Sequence, residues 1–287
     1  MKRVLAVIVT YNGMQWLDRC LGSLRSSSLR PDVYVFDNAS TDGTPDAVAA
    51  RFPEAFLVRS SENLGFARAN DRGLRYALEK GYDYVYLLNQ DAWVLPDTLS
   101  RLADALSSGD WGLISPLQMR PDGRTPDARF RRHYHGPLAP DGTVRPVRFV
   151  MAAHWMLSAS CLRTTGLFSP AFRHYGEDNN YCDRVRYHGF RIGVLPAAVA
   201  IHDRQARRQS KEVRMYRNAQ YARVRLSDPG ARFGWQRCAQ GFRLLLMCLR
   251  WLSVQPLRHA AALLADGPAL RRWREDSKRP GAFLEPS

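Results

Sequence analysis

The chain has 287 residues and a formal net charge of +15 at neutral pH. That length holds one large domain, or one domain with an appendage, and buries a core without staples. Five cysteines, odd in number and irregularly spaced at 20, 161, 182, 238 and 248, exclude a secreted disulfide scaffold and point to reduced thiols in a cytosolic setting.

The start, MKRVLAVIVTYNG, is charged and then apolar, but the run is too short for a signal peptide and lacks a small-residue cleavage pattern. Val4 to Val9 reads as a buried parallel strand ending in the polar turn Thr10 to Gly13. Trp16, Leu17, Cys20, Leu21 and Leu24 recur at helical spacing, and a second strand, Val33 to Phe36, runs into Asp37 and Asn38. Ser40, Asp42 and Thr44 offer caps for a helix through Ala47 and Val48. A short strand at Ala55 to Val58 and a helix from Ala67 to Lys80, closed by Gly81, continue the βαβ rhythm of a doubly wound sheet.

The stretch VYLLNQDAWV at 85–94 breaks from buried apolar residues into Asn89, Gln90 and Asp91. Ligands of an open α/β sheet sit beyond the carboxyl ends of its strands, so a lone acid there is placed to hold a cation. The same acid also reads as a turn residue ahead of the helix from Asp97 to Leu106. A short strand follows at Trp111 to Ser115. Residues 116–149 then hold six prolines, seven arginines and three aspartates without periodicity, as in an ordered lid or a disordered insertion.

Apolar order returns at FVMAAHWMLSASCLRTTGLF. Glu177 and Asp178 head a helix through Arg184 to Gly189, as a charge cluster favoured by the helix dipole or as functional acids. A strand at Ile192 to Leu195 leads to AVAIHD, where His202 is a packing residue or a metal ligand. Glu212 to Leu226 reads as a basic helix, and residues 233–273 interleave leucine and aromatics with arginine. That region lies on an anionic membrane as an amphipathic helix or packs on the main domain; no apolar run is long enough to span a bilayer.

The charge calls for a polyanion: nucleic acid, acidic lipid or a phosphorylated substrate. Residues 1–110 mix signs, whereas arginine excess starts near Arg120 and recurs at Arg204, Arg207, Arg208, Lys211, Arg214, Arg217, Arg223 and Arg225, which assigns docking to the second half. Asp37, Asp91 and the pair Glu177–Asp178 sit at strand or helix ends that can face one crevice, with Asp91 holding a cation and Asp178 taking a proton.

In order and spacing, VIVTYNG, VFDNASTDGT, ENLGFARAN, LLNQDAWV, GEDNNYCDRVRYHGF and AIHD followed by MYRNAQY resemble the family-two inverting glycosyltransferases with the GT-A fold, within these the rhamnosyltransferase-like bacterial members. The resemblance covers about residues 4–225. It implies a Rossmann-like, mostly parallel doubly wound sheet with a basic helical C-terminal extension. Residues 1–115 would be the nucleotide-sugar half, 116–149 a loop, 150–226 the acceptor and catalytic half, and 227–287 the extension. Tyr11 and Asn12 would lie along the base, Asp37 would accept from the uracil or thymine imide beside Asn38, and Asn63, Gly65, Phe66 and Asn70 would shape the wall. Asn89, Gln90 and Asp91 stand in place of the family's D-x-D element, of which only the last acid survives. Asp91, supported by His202, would hold Mg2+ or Mn2+ on the donor diphosphate; Asp178 would be the base, and Glu177 would orient the acceptor, with His154 and Trp155 lining its pocket, unless Trp155 is instead packed in the core, the role more usual for such a ring. Asn180 replaces a common second aspartate. The implied reaction moves a sugar, foremost L-rhamnose from dTDP-rhamnose and otherwise one from a UDP-sugar, to a lipid-linked or oligosaccharide acceptor at the cytoplasmic membrane face. A nucleic-acid-binding protein is suggested by charge alone, and the aromatics do not alternate with arginines as a binding sheet requires, so no nucleic-acid partner is expected. A third reading is a scaffold that keeps the transferase fold without its activity.

Overall fold

The computed structural model describes residues 2–204, 210–251 and 253–284. Arg207 and Arg208 of the basic run lie outside them. The first half alternates strand and helix as expected: β1 (Val4–Thr10), α1 (Leu17–Arg25), β2 (Asp32–Asp37), α2 (Thr44–Arg51), β3 (Phe56–Arg59), α3 (Gly65–Glu79) and β4 (Tyr84–Asn89). These four strands are parallel, in the order β3–β2–β1–β4. Leu5 and Val7 enter the core under α3, whereas Val4, Ala6 and Ile8 enter the one under α1 and α2. Both faces of β1 are therefore dry, which is why its sequence is continuously apolar rather than alternating. Each such valine, leucine or isoleucine side chain contributes roughly 1.5–3 kcal/mol by burial. Gly81 closes α3 at a φ of 66°.

The second half joins the same sheet. β5 (Ala92–Val94), α4 (Thr98–Ser107), β6 (Trp111–Met119), the short α5 (Ala128–Arg131), β7 (Arg145–Pro146) and β8 (His154–Ser158) are followed by α6 (Ala159–Thr165), α7 (Glu177–Tyr187) and β9 (Arg191–His202). The order continues β4–β8–β6–β9–β5, with β8 antiparallel to β4 and β6, β9 parallel to β6, and β5 antiparallel to β9. Two strands expected around residues 192–202 are one, interrupted where Pro196 falls between the paired residues Leu195 and Val199. Within 116–149, Phe130 and Tyr134 are buried in the core, and the Asp127 side chain accepts from the Arg129 and Phe130 amides at 2.9 and 2.7 Å. The middle of this segment is packed structure, held like a helix start.

Beyond β9, α8 (Lys211–Ser227), α9 (Phe233–Trp251), α10 (Gln255–Ala265) and α11 (Gly267–Asp276) build a third apolar cluster that also takes in Phe172. The cluster begins in α8, so packing runs through the expected boundary at 226. The tail returns to the main domain, where the Leu167 amide donates to Ala282 O at 3.0 Å and the Arg184 guanidinium lies 4.9 Å from the Phe283 ring centre. On α9, Leu244 and Met247 face the cluster while Trp235, Phe242 and Leu249 stand 71%, 65% and 74% exposed. The packing expectation thus holds for one apolar face of this helix, and another apolar face is open. Among the described residues no helix is long and apolar enough to cross a membrane.

Candidate active site

Because β1, β2 and β4 are parallel and adjacent, their ends deliver Tyr11–Asn12, Asp37–Asn38 and Asn89–Asp91 to one edge. Polar side chains then lock that edge. Gln90 clasps β1, accepting from the Tyr11 amide at 2.8 Å and donating to its carbonyl at 3.1 Å. Asn12, at a φ of 49°, accepts from the Thr41 amide at 2.8 Å. Asp37 is only 2% exposed. Its Oδ1 accepts from Thr10 Oγ1 at 2.8 Å and Ser40 Oγ at 2.6 Å, and its Oδ2 from the Ser40 amide at 2.9 Å. A carboxylate offers about four lone-pair positions, so one on Oδ2 stays unspent. Asn38 donates to Asn63 at 2.9 Å and accepts from the Leu64 amide at 2.7 Å, and Asn70 donates to Phe66 O at 2.9 Å. Gly65 has a φ of 78°, and a Cβ there would lie 2.8 Å from Arg173 O, so only glycine lets the loop approach the α7 side this closely. The Tyr11 ring is open to solvent.

Asp91 lies in the turn between β4 and β5. Because Ala92 pairs with His202 across β5 and β9, the turn is folded against the end of β9. The Asp203 amide donates to Asp91 O at 2.8 Å, and His202 Nε2 lies 3.4 Å from Asp91 Oδ1. Burial opposes the Asp91 charge, but the His202 contact and the Arg204 charge outweigh it and hold the carboxyl below its ordinary range. Two ligands cis on one ion at about 2.1 Å each stand about 3 Å apart, so this spacing fits a shared divalent cation. Among the described residues no group of three or more His, Cys, Asp or Glu gathers, so further ligands would be water or substrate phosphate oxygens.

Glu177 and Asp178 open α7. Gly176 caps it at a φ of 97°, where a Cβ would lie 2.9 Å from Val224 and 3.0 Å from Phe172, and Tyr175 before it is held at 65°. Among the described residues, three of the four non-glycine positions at positive φ, Asn12, Ala39 and Tyr175, flank these loops, strain that the surrounding contacts must hold. Burial raises the Asp178 carboxyl against the pull of the Asn179 amide and of Arg204 and Arg217. Burial and then the Asp178 charge raise Glu177, whose Oε2 is buried without a partner. Arg204 acts on both Asp91 and Asp178, which makes it their common cationic neighbour, and Asp127 holds its Nε at 2.8 Å. Nothing in its spacing marked it within the basic run.

Two expectations are corrected. His154 and Trp155 do not line a pocket, since both are fully buried. His154 Nδ1 meets Tyr86 Oη at 2.7 Å and Nε2 meets Ile201 O at 3.0 Å, which sets its ring edge-on behind His202 at 6.3 Å. Trp155 donates to Val150 O at 3.1 Å and stacks on Phe168, leaving no face for a sugar. Asn180 is likewise buried, donating to Ser227 O at 3.4 Å.

The sequence profile of glycosyl transferase family 2 matches residues 5–163. The chain belongs to this family. It is 30% identical over 237 residues to an N-acetylglucosaminyl-diphospho-decaprenol L-rhamnosyltransferase of Mycobacterium tuberculosis, across 70% of this chain and 76% of that one. It is 34% identical over 201 residues to an undecaprenyl-phosphate mannosyltransferase of Micrococcus luteus, across 68% and 82%. The solved mannosyltransferase of Pyrobaculum calidifontis in complex with GDP-Man and Mn2+ superimposes with a TM-score of 0.58 at 22% identity, over 96% of this chain and 84% of that one. That likeness identifies the mixed sheet of this family 2 chain as the GT-A fold.

Proposed function

We propose that this chain is an inverting glycosyltransferase that moves L-rhamnose from dTDP-rhamnose to a hydroxyl of a lipid-linked or oligosaccharide acceptor in cell-surface polysaccharide synthesis. The observation that carries the reading is the contact of Asp91 with His202 where the β4–β5 turn meets the end of β9, with the Arg204 charge acting on both Asp91 and Asp178. The relatives' names, which join rhamnose or mannose to polyprenol carriers, favour the donor and acceptor classes.

In this reading Asp178 removes the acceptor hydroxyl proton, for which its raised affinity suits it. The oxygen bonds to the anomeric carbon from the side opposite the departing diphosphate, which inverts that centre. Glu177, protonated by its surroundings, donates to the acceptor and orients it. Arg204 stabilises charge that grows on the leaving group. Mg2+ or Mn2+ bound at Asp91 and His202 would supply further charge neutralisation there. Tyr11 and Asn12 flank the base, the free lone pair of Asp37 accepts the imide N–H, and Asn38, Asn63, Gly65, Phe66, Asn70, Asn89 and Gln90 hold the wall. Residues 1–115 thus serve the donor and 150–226 the acceptor. The open α9 stripe, with exposed Arg250 and Arg258 nearby, docks peripherally on the anionic cytoplasmic face of the cell membrane.

Thermal-shift screening of dTDP-rhamnose against UDP-hexoses, with and without Mn2+, tests the donor. Selective, metal-enhanced stabilisation by the thymidine nucleotide is expected; stabilisation by a UDP-hexose alone transfers the reading to that donor, and none by any nucleotide sugar removes it. Flotation with anionic liposomes tests docking, and a protein that stays at the bottom at moderate salt contradicts it.

A further inference from the structure

A cavity of about 1110 Å³ opens between α9, α10 and α11, more than the about 300–1,000 Å³ that drug-sized ligands occupy. Its walls are carbon: Leu226 at the end of α8, then Phe233, Leu244, Leu263 and Leu270. Gly234, Gly241 and Gly267 also line it, and a Cβ added to any of them would meet nothing within 4 Å. Open space thus reaches the helix backbones themselves. Arg237, Arg271 and Arg272 stand on the lining. Glu275, its acid, is already bound by Arg274 at 2.8 Å and Lys278 at 2.6 Å, so the cavity keeps a positive excess. At helical spacing, Gly234, Arg237, Gly241 and Leu244 turn away from Trp235, Phe242 and Leu249, while Cys238, which also lines the cavity, falls between Trp235 and Phe242, so the cavity opens beside the exposed stripe. Its Leu226 wall is tied to α7: the next residue's carbonyl, Ser227 O, accepts from Asn180, two residues beyond Asp178.

We propose that this groove holds the isoprenoid chain of the phosphate-bearing acceptor lipid, with the phosphate against Arg237, Arg271 and Arg272. The occupant follows from the juxtaposition of a long apolar trough, a cationic lining and a wall joined to the helix that carries Asp178. Bilayer contact is left to the adjoining stripe. The inference rests on the lipid-linked acceptor proposed above and gives that acceptor a second anchor, remote from the reacting hydroxyl.

The test uses the full chain and geranylgeranyl phosphate without vesicles, with binding measured by isothermal titration. Gly241→Trp fills the trough from open space, and tryptophan is a better helix former than glycine, so the fold is retained and checked by its melting midpoint. The wild type is expected to bind the probe saturably. Gly241→Trp should weaken binding at least about tenfold, and Arg271→Gln with Arg272→Gln should lower it in a salt-dependent way. With a polyprenyl-linked acceptor, Gly241→Trp should raise KM and leave transfer to a short soluble acceptor unchanged. Equal binding by wild type and Gly241→Trp overturns the proposal. Equal competition by dioctanoyl-phosphatidylglycerol assigns the groove to bulk phospholipid, and a wild-type dimer that Gly241→Trp makes monomeric assigns it to a second copy; each also overturns it. The titration needs no donor, so its failure is distinguishable from failure of the transferase reading, which the nucleotide-sugar screen tests.

Discussion

The two sides of the cleft are built in opposite ways. On the β1–β2–β4 side nearly every polar group is spent on a neighbour: Asp37 on Thr10 and Ser40, Asn38 on Asn63 and Leu64, Gln90 on Tyr11. On the α7–β9 side polar atoms are left over, with Glu177 Oε2, Asn180 Oδ1 and His202 Nδ1 buried and unpaired. Glu177 and Asp178 there also hold protons more tightly than free carboxyls do. The difference teaches a division of labour. A satisfied network is rigid and suits a surface that must meet a ligand already formed, whereas unpaired groups of perturbed affinity await a partner and store proton-transfer capacity.

The sharpest break of this comparison falls on the seam between the sides. Asp91→Ala removes the carboxylate facing His202 and should lower transfer by about 10²- to 10³-fold while abolishing stabilisation by Mn2+ plus nucleotide sugar. Steady-state kinetics with parallel thermal shifts check both, and undiminished metal-dependent stabilisation would detach Asp91 from the cation. A second break is steric. Gly176→Val puts side-chain carbon against Val224 and Phe172 in a left-handed conformation, and should destabilise the fold by about 1–3 kcal/mol. Urea denaturation reads this directly, and an unchanged midpoint would mean that the α7 entrance is slack.

The smallest effect concerns protons. Burial raises Asp71 to about 7 and Asp183 to about 6. Such groups bind protons in the fold that the unfolded chain has lost, so stability is full at low pH and declines as pH rises through about 6 to 7. Asp71→Asn, which still accepts from the Phe168 amide, should flatten the decline between pH 5.5 and 7.5. A melting midpoint that climbs with pH across this range would contradict the assignment.

The rigid side was the more legible in sequence. β1, β2 and β4 are apolar runs broken by polar turns, and the acids Asp37 and Asp91 follow from that local pattern, whereas Tyr11 stands out only through the family resemblance. The α7–β9 side depends on distant pairing. β5 is three residues defined by its partner β9, and β8 is buried on both faces, so HWMLS carries no alternation to set it apart from a buried helix. His154 reads as a pocket residue because ring chemistry is visible in a sequence and enclosure is not, whereas packing is already among the readings of Trp155. Arg204 gave no local sign; its place follows from Asp127 and from where β9 ends.

The most direct test of the divided cleft is the pH dependence of single-turnover transfer by the wild type and by Asp178→Asn, with donor affinity measured alongside. The wild-type rate should rise with pH through a midpoint above the usual carboxylate range, because burial raises Asp178. Asp178→Asn should be slower by about 10²- to 10⁴-fold, with no such limb and donor affinity unchanged. Transfer by Asp178→Asn at the wild-type rate would contradict the account.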